Sequence, residues 1–312
     1  MVRPVLLCPG QGAQRVGMGR DLAAQFPEAR SVFEQVDEAL GVALSNLMWN
    51  GPEEELTLTH NAQPAILAHS LAVYATIGRA VTPVAAAGHS LGEYTAYAAA
   101  GSLSLADAAR LVRRRGELML DAGTVRPGTM TAIIGLETKL VEEACSACSG
   151  ESGVVVSANI NAPDQTVISG DPEAVERAAQ RCKEGGAKRV LPLKVSGAFH
   201  SPLMLPAQDG LHAELNAVSF FDPAFPVIAN ATAELVTSAD TARRRLGEQI
   251  TSPVRWVDSM QRAAGSFGPG VTFLEIGPGK VLSGLVKRIV PDANAVSVAS
   301  ADDARVFLEG SG

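Results

Sequence analysis

The chain has 312 residues, 46% hydrophobic and 19% charged, which is enough for two compact units or one large unit with an insertion and too apolar for intrinsic disorder. With 26 Lys and Arg against 33 Asp and Glu its formal charge is −7, which argues against nucleic acid or an anionic membrane surface as the main partner. Cys8, Cys145, Cys148 and Cys182 are too sparse for a disulfide scaffold, the chain starts without a basic n-region followed by an apolar h-region, and no apolar run reaches the roughly 18 residues of a membrane span, so a cytoplasmic protein is expected.

Residues 2–8 form an apolar run ending in Pro9-Gly10-Gln11-Gly12, which predicts a buried first strand turning into a glycine-rich loop. A helix from about Arg20 follows, then a loop at Asn50-Gly51-Pro52 and a helix over 63–79 with Pro64 in its first turn. Residues 81–87 give another apolar run before Gly88, and a helix rich in Ala and Tyr extends to Ala100. Ser104-Leu-Ala-Asp107 is a capping box ahead of a helix to about Asp121 that carries Arg115.

After Gly123 the order becomes strand 130–134, helix 138–148, strand 154–159, strand 166–169, helix 172–183 and strand 189–195. Such a βαββαβ string is the ferredoxin-like arrangement, so residues 124–197 are read as a small subdomain inserted in an α/β unit formed by 1–123 and 198–312. The pair Cys145 and Cys148 has redox-motif spacing but falls on the amphipathic helix of this insert, where structural thiols are expected. Beyond the Gly197-Ala-Phe-His200-Ser-Pro202 turn come helix 203–216, strand 226–230, helices 240–250 and 254–264, and strand 273–276 as the last core strand, with Gly277-Pro-Gly279 feeding another helix.

Gly88-His-Ser90-Leu-Gly92 matches G-x-S-x-G between a strand and a helix, the context a nucleophile elbow requires. The turn projects Ser90 Oγ, and the main-chain N–H of Leu91 at the helix start faces the oxygen of an attacked carbonyl. A serine hydroxyl is a poor nucleophile and needs a base within hydrogen-bond reach. His200 stands in an irregular loop of the kind that carries catalytic groups. Alternation points His89 away from Ser90, while His60, His69 and His212 sit in or beside amphipathic helices as surface or hydrogen-bonded structural residues. Of Arg113, Arg114 and Arg115, helical spacing lets at most one point fully inward. The strings around Gly10 and Gly277 lack the further glycine or hydroxyl of a nucleotide-binding loop, and no His, Cys or carboxylate cluster has metal spacing, so neither cofactor nor metal is expected.

Six motifs occur in order: Pro9-Gly-Gln11-Gly-Ala-Gln14, Gly88-His-Ser90-Leu-Gly-Glu93, Arg115-Gly116, Gly197-Ala-Phe-His200-Ser, Gln249 before Ser252-Pro253-Val254, and Glu275-Ile-Gly-Pro-Gly-Lys280-Val-Leu. Together, over nearly the whole chain, they resemble the malonyl-CoA:acyl-carrier-protein transacylases of fatty-acid synthesis. The resemblance implies an α/β-hydrolase-like parallel-sheet core around the ferredoxin-like insert, and a ping-pong transfer in which Ser90 carries the malonyl group and His200 moves the proton. It implies an oxyanion hole from the N–H groups of Gln11 and Leu91, and Arg115 as the anchor of the acyl carboxylate, for which a guanidinium fork is suited.

An esterase triad would need an acid between Ser90 and His200, and candidates such as Asp164 and Asp171 lie in the insert. Gln249 instead matches the family position whose carbonyl holds the imidazole. Phe199 resembles the residue that marks malonyl-selective members, and Asn159 and Asn161 are implied as weak substrate contacts at the cleft edge. Malonyl-CoA is then a substrate rather than a cofactor, acyl carrier protein is the partner, and a monomer is expected because one chain supplies the site. Lys188-Arg189, Lys280 and Lys287-Arg288 are candidate contacts for an acidic carrier. The same chemistry serves a polyketide pathway, and a hydrolase using the same elbow is the alternative, against which a buried Arg115 would argue.

Overall fold

The computed structural model describes residues 2–151, 153–268 and 270–310. Its strands are β1 (Pro4–Cys8), β2 (Ala85–Gly88), β3 (Thr129–Ile134), β4 (Val155–Ala162), β5 (Gln165–Gly170), β6 (Arg189–Pro192), β7 (Val227–Ile228), β8 (Leu235–Val236), β9 (Thr272–Ile276) and β10 (Asn294–Val298). They form two sheets. The larger has the order β10-β9-β1-β2-β7-β8 and is parallel except for the β7–β8 pair. The smaller, β4-β5-β3-β6, is antiparallel throughout, which is the ferredoxin-like order expected of the βαββαβ string.

A parallel sheet is covered on both faces, and β1 shows why its sequence reads as an unbroken apolar run. Leu6 and Cys8 belong to the core on one side, and Val5 and Leu7 to the core on the other. The first side holds Leu67 and Val73 of the helix Thr59–Ile77 and Leu111 and Val112 of the helix Leu105–Val125; the second holds Trp256 and Met260 of the helix Trp256–Phe267 and Leu282 and Val286 of the helix Val281–Ile289. In the small unit the helices Thr138–Cys148 and Pro172–Glu184 bury a separate apolar core that includes Ile133 and Ile168. All four cysteines are buried and free, and burial pushes Cys145 up to about 12 and Cys182 up to about 11, so these thiols resist ionisation.

Several expected boundaries shift for identifiable reasons. The helix around Pro64 begins at Thr59, so the proline lies inside it and leaves the His60 carbonyl without its usual donor. Arg113 Nη1 takes that place at 3.1 Å. β2 begins only at Ala85, short of the run at 81–87, although Thr82 N and Val84 N still donate to the Val2 and Pro4 carbonyls at 2.8 and 2.9 Å. Beyond Phe273 to Ile276 one further strand follows, β10, an edge with alternate residues open to solvent and a weak apolar signal. β8 is two residues long, too short to show alternation. The serine half of the capping box is present, with Ser104 Oγ accepting from Asp107 N at 3.0 Å, while Asp107 Oδ2 accepts from the Ser104 hydroxyl at 2.7 Å.

Candidate functional site

β2 runs into the elbow, and Ser90 adopts a left-handed φ of 53°, the strained turn that lifts its side chain clear of the backbone. Only glycine fits on either side. A Cβ on Gly88 would lie 1.9 Å from the Gly92 carbonyl, and one on Gly92 would lie 2.1 Å from the carbonyl oxygen of Cys8. The elbow is thus wedged against the end of β1, and the loop after β1 carries Gln11 beside it. The main-chain N–H groups of Gln11 and Leu91 donate to no protein acceptor among the described residues. Gln11 is steadied by its side chain, which donates to Thr59 Oγ1 at 3.3 Å.

His200 also has a positive φ, 56°, and is buried. Its Nε2 lies 2.7 Å from Ser90 Oγ. Its Nδ1 faces two main-chain carbonyls, those of Gln249 and Ser252, each at 3.1 Å. Carbonyls only accept, so Nδ1 carries the proton and Nε2 is left to accept from the Ser90 hydroxyl. Burial, and then the Arg115 charge, push the imidazole down to about 3, so it is neutral over the physiological range, with Nε2 unprotonated. Neither Asp164 nor Asp171 bonds it; they pair with Arg288 and Arg126.

The three neighbouring arginines divide as helical spacing requires. Arg113 serves the His60 carbonyl and Glu117, Arg114 pairs with Glu117 and Glu214, and Arg115 alone turns inward. Gly116 allows this: a Cβ there would sit 2.5 Å from His60 Cα, so its absence lets the helix Leu105–Val125 press against Thr59–Ile77. Arg115 Nη1 donates to Gln63 Oε1 at 2.8 Å, and Nη2 donates to Ser90 Oγ at 3.0 Å and to Gln249 Oε1 at 3.1 Å. Its guanidinium also stands 5.7 Å from the centre of the Tyr94 ring. Although only 1% exposed, Arg115 forms no ion pair among the described residues, and its Nε has no partner.

A cleft of about 290 Å³ opens onto Ser90, His200 and Arg115, with Phe199, Met119 and Met130 on its apolar side. Asn159 lines it, whereas Asn161 is engaged elsewhere, its Oδ1 lying 2.8 Å from His89 Nε2. His89 packs on Trp256, and burial lowers its pKa. Of the other histidines, His212 is exposed, but His69 is wholly buried rather than a surface residue and is pushed down to about 4 by burial. Glu275 of the last motif caps the helix Val281–Ile289, accepting from Leu282 N at 3.1 Å and Ser283 N at 2.7 Å, so that motif builds the frame rather than the cleft.

Sequence reasoning passed over Gln63, Asn230, Ser252 and Lys194. Gln63 bonds Arg115, Asn230 Oδ1 accepts from Ser90 N at 2.7 Å, Ser252 supplies its carbonyl to His200, and exposed Lys194 stands on the cleft wall. Ser252 lies inside a quoted motif and Gln63 beside the helical proline, but nothing local distinguishes Asn230.

Comparison with known proteins brings independent information. Residues 5–302 match the family described as acyl transferase domain. The malonyl CoA-acyl carrier protein transacylase of Bacillus subtilis (strain 168) is 43% identical over 99% of this chain and 97% of its own length. The crystal structure of an acyl-carrier-protein S-malonyltransferase from Bartonella henselae superposes with a TM-score of 0.94, at 42% identity over 100% of both chains. A malonyl-transacylase solved in complex with its type II PKS acyl-carrier protein superposes with a TM-score of 0.93, at 40% identity over 99% of both chains.

Proposed function

Because the chain belongs to the acyl transferase family and, within it, to the malonyl CoA-acyl carrier protein transacylases, we propose that it moves a malonyl group from malonyl-CoA to the phosphopantetheine thiol of an acyl carrier protein. Ser90 Oγ attacks the thioester carbonyl as its proton passes to His200 Nε2, along the 2.7 Å contact already made. The developing oxyanion is received by the N–H groups of Gln11 and Leu91, an interaction for which one donor is typically worth about 2.7–4 kcal/mol. Coenzyme A leaves with the proton from His200, and malonate remains as an ester on Ser90. The carrier thiol then gives its proton to His200 and attacks the ester, and Ser90 Oγ recovers the proton as it departs. The carbonyls of Gln249 and Ser252 hold the ring for both halves without the charge of a triad acid, which suits an acyl donor that is already activated.

Arg115 is the observation that carries the choice of acyl group. A buried cation with no carboxylate in direct contact among the described residues is costly, and one hydrogen-bonded to the nucleophile is placed to receive the free carboxylate of malonate. A hydrolase of neutral acyl chains gains nothing from it. Phe199 crowds an α-methyl branch, and since one methylene is worth only about 1–3 kcal/mol in such a pocket, selectivity against methylmalonate is partial. Asn159 is a substrate contact on the cleft wall; Asn161 acts through His89. The reaction uses only protein groups and the thioester, so no cofactor is called for. The protein is read as a cytoplasmic monomer; no helix among the described residues is long and apolar enough to cross a membrane. For an acidic carrier, exposed Lys188, Arg189, Lys280 and Lys287 offer complementary charge, while Arg288 is taken up by Asp164 and Gln165.

Incubation with radiolabelled malonyl-CoA and no carrier tests the proposal directly. Label is expected as an ester on the peptide containing Ser90 and should leave on addition of holo carrier protein; an unlabelled Ser90 peptide would overturn it. Added salt is expected to slow the transfer to carrier while leaving release to water unchanged, since it screens the long-range attraction alone.

A further inference from the structure

One buried acid beside the nucleophile has no place in the mechanism above. Glu93 is wholly buried on the helix Gly92–Ala99. Its Oε2 accepts from Asn230 N at 3.0 Å and from Gln249 Nε2 at 2.7 Å, while its Oε1 has no partner among the described residues. The Gln249 amide also donates to the Ser90 carbonyl at 2.8 Å, and its oxygen accepts from Arg115 Nη2 at 3.1 Å. Asn230 closes the ring through Ser90 N and, at 2.6 Å, the Gly88 carbonyl. One carboxyl group is therefore joined through the Gln249 amide to the guanidinium, and through Gln249 and Asn230 to the elbow.

Building on the reading of the site as a malonyl transferase, we propose that Glu93 is a positioning residue that exchanges its charge for that of the substrate. Ionised, it balances Arg115 through the Gln249 amide. When the malonyl carboxylate takes over the guanidinium, Glu93 binds a proton from solvent, so one cation never faces two buried anions. The surroundings support the exchange. Burial drives Glu93 up to about 7, against the pull of Asn230, Gln249, Arg115 and Arg245, so a second anion nearby is enough to keep it protonated at neutral pH.

The groups facing it from the packed elements hold their charge near neutrality. Arg115 stays cationic, and Arg245 of the helix Ala239–Gln249 is paired with Glu234 and Glu248. Burial holds Tyr94 and Tyr97 protonated, and it holds His200, bonded to the Gln249 carbonyl, neutral.

Proton uptake accompanying acyl-enzyme formation decides the matter, followed with an indicator dye in weak buffer about one unit above the Glu93 value. Acetyl-CoA serves as the donor without a carboxylate, and the thiol released is the same for both. In the unmodified enzyme, malonyl-CoA is expected to take up more protons per ester than acetyl-CoA. The malonyl-CoA KM is expected to rise with pH above neutrality, by up to about tenfold per unit. In Glu93→Gln both effects should vanish. Equal uptake with the two donors in the unmodified enzyme overturns the exchange, without relying on any variant. A normally labelled Ser90 with the same KM profile in Glu93→Gln also overturns it, whereas an unlabelled Ser90 removes malonyl transfer itself.

Discussion

The large unit buries Arg115, Glu93, Gln249, Asn230 and His200 within reach of one another, joined by hydrogen bonds to a single nucleophile. Between the small sheet and its helices the chain buries Ile133, Val141, Val155, Ile168, Val175 and three thiols, with no charged side chain among the described residues. Burial of charge is costly and persists where partners or a ligand repay it, so the polar interior marks where the chemistry is done. The small unit adds shape: Met130, Asn159 and Leu193 form one wall of the cleft without titrating.

Replacing either half of the reacting pair should break the polar side of this contrast most severely. Ser90→Ala or His200→Ala is expected to lower the transfer rate by about 10³-fold or more with the thermal melt little changed, as steady-state kinetics and calorimetry together would show. Next in size, Arg115→Ala should cut kcat/KM for malonyl-CoA by about 10²-fold or more while sparing or raising that for acetyl-CoA. Equal losses on both donors would remove the anchor role. The same variant lifts one of the influences holding His200 down. The imidazole then protonates at a higher pH, and the acid limb of the acetyl-CoA profile should move upward.

Smallest for catalysis is the apolar side. Ile168→Ala should destabilise the protein by about 2–5 kcal/mol in denaturant titration, yet leave the malonyl-to-acetyl preference and the pH profile of the folded enzyme within a few fold. A change in either would show that the two interiors are energetically one.

Local chemistry and periodicity were sufficient for much of the architecture. The elbow is readable because Gly88 and Gly92 flank Ser90 between an apolar run and a helix, and the βαββαβ string needs only alternation and capping to be recognised. The edge strands β8 and β10 escaped, one by its length and the other by its exposure. Arg115 could be separated from Arg113 and Arg114 only through the family resemblance, because spacing says that one of them points inward but not which.

What the residues determined by themselves was the set of reactive groups and the turn that presents one of them, since both depend on neighbours in the chain. Tertiary structure alone decided the wiring. Glu93 meets Gln249 across 156 positions, and Asn230 meets Ser90 across 140. The partner of a buried polar group is chosen by which distant segment packs over it, and no spacing along the chain records that choice.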